Sequence, residues 1–125
     1  MAQDRVYGIR PEDNTGADIV PDSYFYRIIK NIQEVQNRMD EDGFTDGRQP
    51  LLVHLDIYLT LAKKYPINAS ANVGGIKRKS LKRTFDAWWE KNEKKIPKKY
   101  REGVRKNADN LFQELFEIES WEKDE

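Results

Sequence analysis

The sequence predicts an all-α fold: a single small domain of about four helices behind an irregular N-terminal arm. Three observations carry this expectation. Phe25, Ile28, Ile32, Val35 and Met39 recur at steps of three and four residues, the period of one helix face. Tyr100, Val104, Ala108, Leu111, Leu115 and Ile118 repeat that pattern near the other end. The alternating apolar residues that suggest a strand, around Val53–Leu61, have no convincing partner elsewhere in the chain. At 125 residues the chain has room for one core and not comfortably for two.

The elements follow in order. Residues 1–21 hold Gly8, Pro11, Gly16 and Pro21 among scattered polar side chains, and read as an arm. The helical domain then covers 22–125. Asp22 or Ser23 is a suitable N-cap for a first helix, which Asp40-Glu41-Asp42-Gly43 ends with like charges and a glycine.

The segment 51–62 fits two patterns. Val53, Leu55, Ile57, Leu59 and Leu61 alternate as in a strand, whereas Leu51, Leu52, Leu55, Tyr58, Leu59 and Ala62 share a helix face. Pro50 suits a first helical turn, Lys63 and Lys64 suit a last one, and Pro66 stops it. Helix is the favoured reading.

A third helix is expected from about Lys77 to Lys95, with Leu81, Phe85, Trp88 and Trp89 on its apolar side. Adjacent tryptophans diverge by about 100° on a helix, and the core is the expected place for both. An exposed one would favour a protein interface. Pro97 opens a fourth helix, in which Gly103 costs about 1 kcal/mol relative to alanine. The expected core includes Phe25, Ile28, Ile32, Leu55, Leu59, Phe85, Leu111, Leu115 and Ile118.

Charge is balanced overall but segregated. Residues 1–60 carry 11 acidic and 6 basic side chains, residues 72–106 carry 4 acidic and 13 basic, and residues 107–125 carry 7 acidic and 1 basic. Two readings follow: a basic surface for a polyanion, or acidic and basic patches that attract each other within the fold or between molecules.

The stretch Ser70–Phe85 gives the first reading a shape. Ala71, Gly75, Ile76, Arg78, Ser80, Leu81, Arg83 and Phe85 resemble the helix-turn-helix of bacterial inversion-stimulation factors and enhancer-binding regulators. That pattern reads Ala-x-x-x-Gly-Ile-x-Arg-x-Thr-Leu-x-Arg/Lys-x-Leu. The resemblance covers about fifteen residues and implies a helix-turn-helix over 67–90, with its glycine in the turn. Lys77, Arg78, Lys79, Lys82 and Arg83 then inherit phosphate or base contacts by position, and Lys94, Lys95, Lys98 and Lys99 are expected exposed beside them. Lys82–Asp86 and Arg83–Asp86 also stand at the spacing of surface ion pairs.

Other chemistry finds little footing. With zero cysteines there is no disulfide framework and no thiolate metal site or nucleophile. His54 is the one histidine, and Asp56, two residues on, would not face it on a helix. The acidic run Asp40–Asp46 lacks the alternating ligands and terminal glutamate of an EF-hand loop. No nucleophile, base and orienting group come together, so no enzyme, cofactor or metal is expected. No apolar run reaches the roughly 18–20 residues of a membrane span, and Met1-Ala-Gln-Asp-Arg does not open a signal peptide, so a cytoplasmic location is expected. The leading expectation is therefore a non-catalytic nucleic-acid-binding protein acting through 77–106, most simply on DNA. The alternative is a protein-interaction module, adaptor or inhibitor, using its segregated patches on another protein or a second copy of itself.

Overall fold

The structure is a computed structural model that describes residues 16–39 and 50–122. The proposed arm up to residue 15 and the acidic run Asp40–Asp46 lie outside the described residues. Among these residues there are five α-helices and no strand: α1 (Gly16–Arg38), α2 (Pro50–Lys64), α3 (Pro66–Asn72), α4 (Arg78–Asn92) and α5 (Lys98–Glu117). The segment 51–62 is helical, because its i, i+3, i+4 face is the one that enters the core. Leu51, Leu55, Tyr58, Leu59 and Ala62 are buried, whereas Val53 and Ile57 are exposed.

Helix α1 starts earlier than the sequence indicates. It runs from Gly16 through Pro21, which sits inside it. Pro21 forfeits one i to i−4 hydrogen bond there, but it is buried against the rest of the molecule. Asp22 is not a cap. Its Oδ1 accepts hydrogen bonds from Asn68 Nδ2 at 2.9 Å and Asn72 Nδ2 at 2.8 Å, tying α1 to α3. Asp22 thus serves tertiary contact rather than local capping.

The four long helices pack around one core. Helix α1 contacts α2 and α4, and α5 contacts the same two. Helix α4 runs parallel to α1, since Gln33 pairs with Gly75 while Gln36 pairs with Ser80 and Thr84 further along. It runs antiparallel to α5, since Arg78 meets Leu115 while Asp86 meets Arg105. The short helix α3 carries the chain between α2 and α4. Phe25 and Tyr58 meet at 4.9 Å between ring centroids, and Phe85 meets Phe112 at 5.5 Å. Trp88 and Trp89 are both buried beside Phe85. Ile28, Leu111 and Ile118 are partly buried at the margin of the core, and the other expected core residues lie inside it.

The phenol of Tyr58, inside this core, is matched. Tyr58 Oη donates to Ala69 O at 2.9 Å. Burial pushes the Tyr58 hydroxyl well above its usual range, against the opposing charge of Arg78, and it remains a donor.

The connections on either side of α4 are built alike. Each leaves its helix through a 3-10 turn, Val73–Gly75 or Glu93–Lys95, and then an extended, buried isoleucine, Ile76 or Ile96. Each isoleucine N–H donates to the carbonyl three residues back. Neither Gly74 nor Gly75 adopts a left-handed φ. A Cβ at Gly75 would stand 3.2 Å from Ile29 Cγ2, tighter than ordinary contact, so glycine lets the turn lie close on α1.

Candidate nucleic-acid interface

Of the 13 cations in 72–106, four are taken up by the fold. Arg78 departs furthest from expectation. It is 4% exposed, and its Nη1 donates to Leu115 O and Ile118 O, each at 2.7 Å. Those carbonyls belong to the C-terminal end of α5, where helical partners run out and the macrodipole favours a cation. Arg78 therefore closes α5 and is withdrawn from any outer surface. The expectation of a phosphate or base contact for Arg78 overlooked this acceptor pair, which lies 37 and 40 residues away.

Arg101 plays the matching part at the other end of α4. Its Nε and Nη2 donate to Glu93 O and Ile96 O, holding the second 3-10 turn. Lys82 and Arg105 converge on Asp86 from α4 and α5, at 2.9 and 2.8 Å. Arg105 also bridges to Asp109 and lies 5.6 Å from the Phe85 and Trp89 ring centroids. Burial works against charge on Asp86, but the hydrogen bonds from Lys82 and Arg105, with their charges, outweigh it and hold the carboxyl below its ordinary value. The pair Lys82–Asp86 thus forms as its spacing predicts. Asp86 takes Arg105, rather than Arg83, as its second partner.

The remaining cations are exposed. Lys77, Lys79, Arg83, Lys91, Lys94, Lys95, Lys98, Lys99 and Lys106 face solvent. Among the described residues, Lys79, Arg83, Lys91 and Lys95 have no ion-pair partner. The expectation that the two lysine clusters lie side by side is corrected. Helix α4 has 15 residues, so about 22 Å of helix separates Lys77 and Lys79 from Lys94 to Lys99.

What joins the clusters is the outer face of α4. Lys79, Arg83, Ala87, Lys91 and Lys95 follow one another at i, i+4 spacing, all exposed. Lys79, Arg83 and Lys91 with Ala87 thus mark a row that winds about 120° around α4, about 40° per step, and Lys95 follows it in the 3-10 turn, with Glu90 beside it. Lys91 was missed by the sequence reading, although its i+4 spacing from Ala87 and Lys95 was legible.

A polar groove of about 410 Å³ flanks the start of this stripe, lined by Gln33, Gln36 and Asn37 of α1 with Lys77 and Ser80 across it. Gln36 Nε2 donates to Ser80 Oγ at 3.0 Å and to Thr84 Oγ1 at 3.3 Å. Gln33 Nε2 donates to Gly75 O at 2.9 Å, leaving both amide oxygens outside these bonds. Amides beside cations are the side-chain chemistry that pairs with base edges and phosphates. Nothing in the sequence linked α1 to this surface, because its glutamines lie more than 40 residues from their partners in α4.

No helix among the described residues is long and apolar enough to cross a membrane, and no cluster of three metal-ligating side chains occurs among them. The fold and surface define a small all-α domain with a cationic helix face. Compared with protein-family models, curated proteins and solved structures, the chain matches none.

Proposed function

We propose that this protein is a non-catalytic nucleic-acid-binding domain that holds a phosphate backbone along the outer face of α4. The observation that carries the reading is the stripe Lys79, Arg83, Lys91 and Lys95, whose charges are not neutralised within the described fold. From Lys79 to Lys91 it runs about 18 Å along α4, and Lys95 continues it in the 3-10 turn. Lys77, Lys94, Lys98 and Lys99 extend the positive field at its two ends. The order of short helix, turn and basic helix over α3 and α4 supports the reading, with DNA as the favoured polymer. Arg78 and Lys82 leave the proposed contact set, since one closes α5 and the other is paired with Asp86.

The test is a salt titration of binding to a labelled duplex and to a single strand. Each phosphate contact contributes about −0.9 to the slope of log K against log salt on B-DNA. Replacing Lys79, Arg83 and Lys91 together by alanine is expected to flatten that slope by up to about 2.7, with folding unchanged, because exposed charges contribute little to stability. Absence of salt-sensitive binding to either polymer by the unaltered protein overturns the proposal.

A further inference from the structure

Away from the cationic stripe, α2 and α5 enclose a groove of about 570 Å³, lined by Leu52, Val53 and Asp56 on one wall and Val104, Leu111 and Glu114 on the other. Its apolar residues are not fully used by the core. Val53 is 55% exposed, and Leu52, Val104 and Leu111 are only partly buried. Tyr100 and Ile57, each about one turn from a lining residue (Val104 and Val53), are also exposed.

Gly103 is the second observation. It lies in the exposed interior of α5, where glycine destabilises a helix relative to alanine. A Cβ at this position would meet nothing within 4 Å. Neither packing nor backbone geometry within the chain therefore calls for glycine. It stands one turn before Asn107, which lines the groove, and places no side chain there, between the exposed Lys99 and Lys106. A bare helix surface of this kind suits close approach by another helix.

The charge at the groove selects the occupant. Asp56 and Glu114 are acidic groups on opposite walls, with Lys63 near one end, 3.7 Å from Glu114. We propose that this groove docks a basic amphipathic helix of a partner protein. The partner sets apolar residues at i, i+3, i+4 and i+7 on the floor and lysines or arginines against Asp56 and Glu114. From Val104 to Glu114 the groove wall advances about 15 Å, which fits some three turns of the incoming helix. A second copy of this chain is a poorer occupant, since a two-fold arrangement brings the same acidic walls together. The site is separate from the proposed nucleic-acid surface and does not depend on it.

The probe is a fluorescein-labelled 15-residue helical peptide of leucine, alanine and lysine in that pattern, compared with its glutamate-for-lysine counterpart. Fluorescence anisotropy is expected to show saturable binding of the lysine peptide at micromolar concentrations and a tenfold or greater preference over the glutamate peptide. Gly103→Gln is expected to weaken lysine-peptide binding at least tenfold while raising the melting temperature by about 2–4 °C, because it fills the docking surface yet improves helix propensity. Asp56→Lys is expected to remove the preference for the lysine peptide, and alanine at Lys79 and Arg83 to leave it intact. Three results each overturn the proposal: no binding, equal binding of both peptides, or lysine-peptide binding indifferent to Gly103→Gln, as for a peptide held only by the acidic C-terminal residues. Concentration-dependent self-association in sedimentation, abolished by Gly103→Gln, overturns it in favour of a second copy in the groove.

Discussion

Replacing Arg78 by methionine tests whether that residue serves the fold or a ligand. Methionine retains most of the apolar stem but removes the guanidinium. Two hydrogen bonds of 2.7 Å to α5 carbonyls are lost. Hydrogen bonds from a charged group contribute about 1.5–3 kcal/mol each, so the upper range is about 3–6 kcal/mol. Water can reach part of the freed helix end, which places the expected loss near about 3 kcal/mol. A 125-residue domain has a stability of order 6–19 kcal/mol, so this is a large fraction of the whole.

The assay is urea unfolding followed by tryptophan fluorescence, since Trp88 and Trp89 are both buried in the core. With a slope of about 1–3 kcal/mol per molar urea, the midpoint should fall by about 1–3 M. Once the variant is kept below that midpoint, the salt slope for nucleic-acid binding should match that of the unaltered protein. An unchanged midpoint together with a weakened salt slope would refute the reasoning, because it would make Arg78 a phosphate contact.

Two further perturbations follow from the packing and from the Asp86 cluster. Leu115 is fully buried in α5, so Leu115→Ala should cost about 2–5 kcal/mol in the same urea assay, and a loss below about 1 kcal/mol would show that α5 is peripheral to the core. The depressed carboxyl of Asp86 makes a stabilising contribution that is complete above its unfolded pKa and is lost as pH falls through the lower folded value. Asp86→Asn should therefore be less stable than the unaltered protein at pH 7, and the difference should shrink as pH drops below about 4 in acid unfolding followed by circular dichroism. A difference that stays constant from pH 7 to pH 2 would exclude Asp86 as the linked group.

The helices were legible because their apolar periodicity is local. Leu51, Leu55, Tyr58, Leu59 and Ala62 form a helical face even in a segment that also alternates, and burial of that face decides the competing patterns. The start of α1 was not legible. Pro21 and Asp22 look like a boundary in sequence, whereas Asn68 and Asn72 hold Asp22 from the side and the helix continues back to Gly16.

The separation of binding cations from structural ones was equally out of reach, since composition counts charges without placing their partners. Arg78 and Lys79 are adjacent basic residues with opposite fates. The first turns inward to carbonyls 37 and 40 residues away, and the second faces water.

The sequence by itself determined the all-α class, the sites of most of the core and the segregation of charge, because helix period and residue type act over a few neighbours. Only the tertiary structure decided which arginines close the fold, which cations form a stripe on α4, and that α2 and α5 leave an acidic-walled apolar groove. Those outcomes depend on acceptors and surfaces contributed by distant segments, and burial fixes them only once the helices have packed.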